Sequence, residues 1–247
     1  MWFKANKLSL NVSKTNYILF RNKGKVPAKL TVSINGMPIS QVSNTKFLGL
    51  FIDEALTWDN HITHISSKIS KNIGIIRKLS HIVPNHVLLT LYNTLITPYL
   101  NYCNIIWASN YPSRLKPLEI LQNRVIRLIC NADRLASASS LFKRLHLLKL
   151  QDINSLQIAL FMYKYHHHLL PASFNDYFVL NSRVHDHYTR STNKNNYYLP
   201  NINTNIRKFG IKFSGPAVWN KIPIDIKSLA SLYSVKQSFK KLLIDNY

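Results

Sequence analysis

A change in the spacing of apolar residues at Thr57 limits the possible folds of this chain more than any other feature. Before it, short apolar runs with a period of two, such as Leu8 and Leu10, are typical of strands. After it, the apolar residues from Trp58 to Leu79 recur every three or four positions, as on one face of a helix. The sequence therefore predicts the α+β class, mainly α, with a small β region at its start.

The first predicted strand region covers residues 8–20 and is interrupted in its middle. Alternating apolar residues come first, a second apolar run ends at Phe20, and Lys14 lies between the two runs. This pattern indicates either a pair of strands joined by a turn or a single bent strand. The basic residues 21–29, which include one glycine and one proline, are predicted to form a loop or a hairpin tip.

A hairpin and a buried strand are predicted next. Asn35-Gly36 is a favoured pair for a tight hairpin turn, and it joins two alternating runs within residues 30–42. The run at residues 46–52 is too densely apolar for a strand that faces water, so we predict a buried strand there. Gly49 within this run is predicted to mark a close approach of the backbone.

Helices are predicted for most of the remaining chain. Their ranges are residues 57–79, 84–107 with a kink at Pro98, about 112–129, 137–145 and 150–170, and a final helix carries Val235, Phe239, Leu242 and Leu243 on its inner face. The predicted regions are residues 1–56 for the β part, 57–131 for a helical bundle, 132–180 for a helical extension, 181–208 for a polar linker and 209–247 for a C-terminal element.

The stretch between Leu79 and Ser113 contains no Asp, Glu, Lys or Arg, which raises the question of a membrane span. Polar residues recur there every three or four positions as far as Asn104, and they would line one helix face opposite an apolar face that ends at Tyr102. An amphipathic helix of a globular protein accounts for this pattern. We therefore predict no membrane segment, and the first residues lack the apolar core of a signal peptide.

The charge balance predicts a polyanionic partner. The chain has 32 Lys and Arg against 10 Asp and Glu, which gives a formal net charge of +22. Nucleic acid is the first partner class to consider, and a ribosomal or membrane-surface role is also compatible with this charge. Cys103 and Cys130 lie in apolar helical patterns and are predicted to be small buried residues rather than a disulfide, which indicates an intracellular location, nucleus or cytoplasm.

Six histidines could suggest a metal site: His146, His166, His167, His168, His185 and His187. Three consecutive residues of a helix point in three directions, and no cysteine lies near them to complete a ligand set. We therefore predict a solvated helix end at the histidine run and no metal site. The chain has only six glycines and no Gly-rich loop, which argues against a phosphate-cradling motif.

Four segments of the chain together resemble the reverse transcriptases of non-LTR retrotransposons, particularly the jockey and related LINE-like group. Residues 6–20 resemble the palm segment that follows the catalytic aspartates, and residues 46–60 resemble the primer-grip strand that leads into the thumb. Residues 118–127 and 215–223 resemble elements that follow the polymerase core. The resemblance implies a small β remnant of a polymerase palm, a thumb-like helical bundle and a C-terminal helical extension for the regions given above.

The resemblance also implies roles for single residues. The lysine at the Lys14 position lies near the phosphates of the incoming nucleotide, where it can neutralise charge or give a proton to departing pyrophosphate. Phe47, Leu48 and Gly49 fall on the primer grip, whose backbone holds the end of the primer strand. Without the resemblance, Lys14 is a solvated turn lysine, and burial alone explains Phe47 and Leu48. Gly49 has no side chain, which allows its backbone to approach a ligand closely.

Seven basic side chains are predicted to face outward and to bind the phosphates of a primer–template duplex without regard to base sequence. They are Lys68, Lys71 and Lys78 on the first long helix, and Arg114, Lys116, Arg124 and Arg127 on the third. In a protein with balanced charge, a basic helix face of this kind is usually only solvated. The excess of basic residues favours phosphate binding here.

The sequence departs from the family pattern in its acidic residues. These polymerases hold two Mg²⁺ ions with paired aspartates, in an aromatic-Ala-Asp-Asp turn just upstream of the position where this chain starts, and no Asp-Asp occurs here. Asp53-Glu54 is the only adjacent acidic pair. Neighbours on a strand point to opposite faces, so we predict an acidic start to the following helix rather than a metal site. No cofactor is expected in this chain, although the complete enzyme would use Mg²⁺.

These features predict a C-terminal fragment of an RNA-directed DNA polymerase of a retrotransposon. It would keep the parts that grip primer and template, lack the metal-binding aspartates and fail to polymerise on its own. The alternative is a non-catalytic basic nucleic-acid-binding protein with a separate cellular role, which the same charge pattern permits. An in-frame coding sequence for the missing turn, directly upstream, would favour the first hypothesis over the second.

Overall fold

The chain is mainly helical with small sheets, as predicted. The computed structural model describes residues 2–21, 30–184 and 195–247. These residues form two compact units, Met1–His64 and Ile65–Tyr247. The predicted basic loop at residues 21–29 lies outside the described residues, except for Arg21.

The first unit contains three two-stranded sheets. Its elements are helix α1 (Trp2–Ala5) and strands β1 (Asn16–Tyr17), β2 (Ser33–Ile34), β3 (Met37–Pro38), β4 (Ser40–Gln41), β5 (Asn44–Phe47) and β6 (Leu50–Asp53). Strand β1 pairs with β4 in parallel, whereas β2 with β3 and β5 with β6 are antiparallel pairs. The predicted hairpin turn at Asn35-Gly36 is confirmed, with φ values of +51° and +76°.

The predicted buried strand at residues 46–52 is wrong, because this segment is a tight hairpin. Strands β5 and β6 pair on either side of Leu48 and Gly49. These two residues have φ values of +45° and +85°, as a two-residue turn with the twist of a hairpin requires. Phe47 is 59% exposed and Leu48 is 74% exposed, so of this run only Leu50 is buried. Leu48-Gly49 adopts this two-residue turn, although Asn-Gly or Asp-Gly is the pair usually found in it.

Helix α2 (Asp59–Leu79) begins where the sequence predicts it. The Asp53 carboxylate fixes the chain just before it, since its oxygens accept hydrogen bonds from the backbone N–H groups of Ala55, Thr57 and Trp58 at 2.8 to 3.1 Å. Asp53 thus has the predicted role at the entry to the helix, whereas Glu54 pairs with Arg21 instead. The apolar residues of its inner face are buried as predicted: Trp58, Ile62, Ile65, Ile69, Ile73 and Ile76.

In the described residues of the second unit, the regular secondary structure is helical apart from one isolated bridge, and loops join the helices. After α2 its α-helices are α3 (Asn85–Leu95), α4 (Thr97–Asn101), α5 (Asn104–Trp107), α6 (Pro112–Ile129), α7 (Ala138–Arg144), α8 (Leu150–His166), α9 (Asn205–Phe209), α10 (Ile211–Trp219), α11 (Ile224–Lys227) and α12 (Leu232–Asp245). Helix α8 lies at the centre, because α4, α5, α6, α10 and α12 all contact it.

The predicted helix at residues 84–107 is broken twice: the first break lies two residues before the predicted kink at Pro98, and the second was not predicted. The first interruption is at Ile96, between α3 and α4. The second is at Tyr102 and Cys103, and Cys103 has a φ of +47°. The second break reverses the predicted faces: Asn104 is buried, whereas Tyr102 is 53% exposed. The side chain of Asn104 donates a hydrogen bond to the carbonyl of Leu100 at 2.7 Å. No helix within the described ranges is both long enough and apolar enough to cross a membrane.

Buried polar side chains join the helices of the second unit. The Gln122 amide nitrogen donates to the Tyr92 hydroxyl and to the Leu148 carbonyl, both at 2.9 Å, and its oxygen accepts from the Leu150 N–H at 2.9 Å. Burial raises the pKa of Tyr92 to about 12, so its hydroxyl stays protonated. Gln122 therefore ties α3, α6 and the start of α8 into one core.

Part of the predicted linker at residues 181–208 packs against the second unit. Of this range, residues 181–184 and 195–208 are described. Tyr197 is only 3% exposed. The Asn220 side chain accepts a hydrogen bond from the Tyr197 N–H at 2.9 Å and donates one to its carbonyl at 2.8 Å. Asn220 thereby fixes the backbone of Tyr197 to the end of α10.

Candidate nucleic-acid interface

Lys14 ends a short 3₁₀ turn, Val12–Lys14, in the first unit. The Asn11 carboxamide oxygen accepts hydrogen bonds from the Ser13 hydroxyl at 2.7 Å and from the Lys14 N–H at 3.2 Å. The backbone of the turn is therefore held while the Lys14 side chain remains exposed. The predicted turn is confirmed, but residues 8–11 before it form no strand.

The tip of the β5–β6 hairpin presents Phe47, Leu48 and Gly49 to solvent. A leucine in the left-handed region costs roughly 1 kcal/mol, since its Cβ crowds the backbone. Leu48 gains no burial in return, because it is 74% exposed. An exposed leucine at a strained position is not explained by the stability of the fold. Gly49, by contrast, suits its φ of +85°.

The adjacent acidic residues of the first unit do not fit a Mg²⁺ site. Both carboxylate oxygens of Asp53 accept backbone hydrogen bonds. Glu54 pairs with Arg21, whose Nη2 lies 2.6 Å from its Oε1. Across the described ranges, no group of three or more His, Cys, Asp and Glu side chains is placed to hold a metal ion. The Mg²⁺ that the resemblance implies thus has no suitable ligand set in this part of the chain.

The histidine run at the end of α8 is partly packed rather than fully solvated. His166 stacks beside Trp219 with ring centroids 5.4 Å apart, and its Nδ1 lies 2.9 Å from the Tyr197 hydroxyl. Burial, followed by the neighbouring histidines, lowers the pKa of His166. The predicted solvated end is therefore wrong for this residue, although the next two histidines are exposed. His185 and His187 lie outside the described residues.

The three lysines predicted on α2 are all exposed. Lys71 and Lys78 lie seven positions apart on one face of the helix, and Lys68 flanks them. The buried residues Ile69 and Ile76 are two positions before Lys71 and Lys78 and lie on the opposite face. This arrangement leaves one side of α2 for the core and the other for basic side chains in water.

The basic residues predicted on α6 divide into two groups. Lys116 and Arg124 are exposed, and the Lys116 ammonium lies 3.7 Å from Glu119. Arg114 and Arg127 are half-buried. The Arg114 guanidinium lies 5.9 Å from the centroid of the Tyr111 ring, and Arg127 Nε donates to the Ala136 carbonyl at 2.9 Å. Arg127 thus also fixes the loop after α6.

Four lysines that were not predicted as site residues line clefts of the second unit. Lys208 and Lys221 line a cleft of about 340 Å³ together with Phe209. Lys236 and Lys240 line a second cleft of about 170 Å³ between α12 and the helices next to it. The four-residue spacing of Lys236 and Lys240 on the final helix indicates, from the sequence alone, that both lie on one helix face. Their position over this cleft depends on tertiary packing and could not be predicted from the sequence.

Comparison with known proteins finds relatives among the polymerases of transposable elements. The chain is 28% identical over 155 residues to a protein named probable RNA-directed DNA polymerase from transposon X-element, of Drosophila melanogaster, and the match covers 61% of this chain and 17% of that relative. It is 27% identical over 157 residues to the RNA-directed DNA polymerase from mobile element jockey of the same species, covering 61% of this chain and 17% of the relative.

A third relative is the retrovirus-related Pol polyprotein from type-1 retrotransposable element R1 of Bradysia coprophila, 26% identical over 135 residues, which are 53% of this chain and 13% of the relative. No protein-family profile matches the chain, and no solved structure matches it significantly. The resemblance to reverse transcriptases of non-LTR retrotransposons is confirmed by these relatives. The matched part corresponds to about a sixth of the length of the first two.

Proposed function

We propose that this chain is a primer–template-gripping part of a retrotransposon's RNA-directed DNA polymerase. The observation that carries the proposal is the basic face of α2, where Lys68, Lys71 and Lys78 are all exposed. The similarity to transposon polymerases supplies the nucleic-acid substrate that such a face would contact. A net charge of +22 makes a polyanion the natural partner.

Contact between lysine ammonium groups and phosphates is independent of base sequence. Each neutralised phosphate releases condensed counterions, so affinity falls as salt rises. Arg124 would extend the contact along α6, because it is exposed. Lys116 is also exposed but lies 3.7 Å from the Glu119 carboxylate, so it would contribute less than Arg124. Arg114 and Arg127 would contribute less, since each already has a contact within the protein.

The first unit would act at the primer end. The hairpin tip at Phe47, Leu48 and Gly49 would contact the last nucleotides of the primer strand, and the exposure and strain of Leu48 support a role other than packing. Lys14, held on its fixed turn, would contact a phosphate near the incoming nucleotide. The paired carboxylates that hold Mg²⁺ in such polymerases are absent from this sequence, so we expect no polymerisation by this chain alone.

Binding to a fluorescent RNA–DNA primer–template duplex at several NaCl concentrations tests the proposal. We expect a steep fall in affinity with salt. The double variant Lys71→Ala/Lys78→Ala should reduce the slope of log affinity against log salt by about 2. The matched control is Lys164→Ala/Lys241→Ala, which removes the same charge from exposed positions on other helices. A flat salt dependence, or equal effects of the two double variants, would contradict the phosphate-grip proposal.

A second measurement separates the polymerase part from a general basic nucleic-acid-binding protein. We expect the chain to bind a recessed primer end more tightly than a blunt duplex, and Phe47→Ala/Leu48→Ala to remove this preference. Equal affinity for both duplexes would favour the general binding protein. Measurable nucleotide incorporation by the chain with Mg²⁺ would show that the expectation of inactivity is wrong.

A further inference from the structure

A cleft of the second unit, lined by both polar and apolar side chains, carries two lysines from the final helix. Lys236 and Lys240 are one helical turn apart on α12, and both line the cleft. Opposite them, Asn93, Thr97 and Asn101 come from α3 and α4, and Gln157 comes from α8. The cleft has a volume of about 170 Å³, which is too small for a whole nucleotide but large enough for a phosphate group and water.

The two ammonium groups face no acid in this cleft. None of its lining residues is Asp or Glu. Residues four apart on a helix are neighbours, so the two positive charges repel each other. Burial, and then the charge of Lys236, lower the pKa of Lys240. In the described part of the chain neither ammonium has an ion-pair or hydrogen-bond partner. An anion between them would remove the repulsion.

The other side chains of the cleft can supply neutral donors to such an anion. The Thr97 hydroxyl lies 3.4 Å from the Asn93 carboxamide oxygen, an arrangement that leaves the Asn93 NH₂ group able to donate elsewhere. Asn101 is exposed and Gln157 is half-buried at the cleft wall. Two cations with nearby amide donors match the charge and the hydrogen-bond acceptors of a phosphate.

We propose that Lys236 and Lys240 bind one backbone phosphate of the nucleic acid at this cleft. The proposal rests on the proposed function, because it takes the gripped nucleic acid as the source of the phosphate. It adds a contact on α12, outside the basic faces of α2 and α6. The charge and size of the cleft favour a single phosphodiester over a base or a nucleotide.

Variants of the full chain test this contact through duplex binding. We expect Lys236→Gln/Lys240→Gln to weaken binding about tenfold at low salt and to reduce the salt slope by about 1, as for loss of one phosphate contact. The control is Lys241→Gln, which removes an exposed charge from the next position of the same helix and should change binding little. Equal effects of Lys240→Gln and Lys241→Gln would overturn the proposal.

The melting temperature distinguishes a binding role of Lys240 from a structural role, because the two roles predict opposite changes in the Lys240→Gln variant. Lys240→Gln removes a repelled, half-buried charge, so we expect the variant to melt at the same or a higher temperature than the unaltered chain while binding duplex less tightly. A lower melting temperature together with weaker binding would mean that Lys240 supports the fold, which would overturn the proposal.

Inorganic phosphate, used without nucleic acid, distinguishes the source of the ligand. We expect millimolar phosphate to shift the NMR signal of the Lys240 side chain. We also expect added duplex to compete with phosphate for this site. Shifts with phosphate but no effect of the double variant on duplex binding would overturn the nucleic-acid assignment. If duplex binding depends on Lys71 and Lys78 but not on Lys236 and Lys240, this proposal fails while the proposed function stands. If duplex binding has no salt dependence, the proposed function itself fails.

Discussion

Gly215 lies where α10 packs against α8, and its missing side chain permits this close contact. A Cβ at this position would lie 2.7 Å from Met162 Sδ and 3.2 Å from the Phe178 ring. One turn further on, Trp219 is fully buried. Asn220 then holds the backbone of Tyr197 by two hydrogen bonds. The segment at residues 215–223, found through its resemblance to transposon polymerases, is therefore a packing element of the second unit.

Replacing Gly215 should be costly for packing. We expect Gly215→Ala to lower the free energy of unfolding by about 1–3 kcal/mol, because the added methyl group overpacks the contact with Met162 and Phe178. The control is Gly74→Ala on α2, where a Cβ would meet no atom within 4 Å. This change should raise stability by roughly 0.5–1 kcal/mol through helix propensity. Urea denaturation measures both, and a gain of stability in both variants would show that the Gly215 contact adapts.

At the scale of single residues, the sequence predicts which side chains are buried better than which groups they contact. The buried positions of α2 follow from periodicity, because each apolar residue needs only to face inward. Gln122 could not be predicted in this way, since its three hydrogen-bond partners come from α3 and from the residues around the start of α8. Lys240 is similar: the residue is visible in the sequence, but the acid-free cleft beside it depends on four helices.

Two hairpins of the first unit use the same turn with different residue pairs. Asn35-Gly36 and Leu48-Gly49 both have positive φ at each position. Asparagine adopts this region readily, whereas leucine adopts it only at a steric cost. The first hairpin was predicted because Asn-Gly is typical of this turn. The second was not predicted because leucine is not typical of a turn position. The apolar residues at the second tip are exposed, which the fold alone does not require.

Exchanging the turn residues should therefore have opposite effects on the two hairpins. We expect Leu48→Asn to raise the free energy of unfolding of the first unit by about 0.5–1 kcal/mol, because it relieves the left-handed strain of an exposed leucine. The matched change Asn35→Leu should lower it by a similar amount. Denaturation in urea, followed by the amide signals of the two hairpins, checks both changes.

The same variant also bears on the proposed grip of the primer end. If Leu48 contacts the primer, Leu48→Asn should make the unit more stable and its affinity for a recessed primer end weaker. A loss of stability would instead mean that Leu48 packs against the fold. Asn35→Leu should leave the preference for a primer end unchanged.

Helix boundaries show the limit of periodicity at the scale of elements. The pattern from Pro84 to Trp107 is continuous in sequence, yet Cys103 adopts a left-handed conformation that restarts the helix with another face inward. No glycine, asparagine or proline stands at that position to indicate the break. The buried Asn104, which bonds to the Leu100 carbonyl, shows what the break achieves, since it satisfies a carbonyl at the end of α4.

At the scale of the whole molecule, composition predicts a polyanionic partner, and the relatives of the chain are named as RNA-directed DNA polymerases. The excess of 32 basic residues over 10 acidic ones leaves most positive charges without an acid to pair with. The surface positions of Lys68, Lys71 and Lys78 were predictable from periodicity. The boundary between the two compact units was not predictable, because it falls after His64, within the continuous helix α2.

The same charge excess should make salt act in opposite directions on folding and on binding. A formal net charge of +22 repels itself in the folded chain, so screening should stabilise the fold. We expect the melting temperature of the free chain to rise by several degrees between about 20 and 300 mM NaCl, while affinity for duplex falls over the same range. A duplex at low salt should also raise the melting temperature, to the extent that it binds the folded chain more tightly than the equally charged unfolded chain.

Ionic strength must be separated from specific salt effects in this measurement. NaCl and sodium sulfate compared at equal ionic strength below about 0.3 M should stabilise the free chain to a similar degree if screening is the cause. A melting temperature that falls as NaCl rises would mean that attractive ion pairs, such as Arg21 with Glu54, outweigh the repulsion among the unpaired basic residues. The basic surface would then be compensated within the fold, and less of its charge would be available to a nucleic acid.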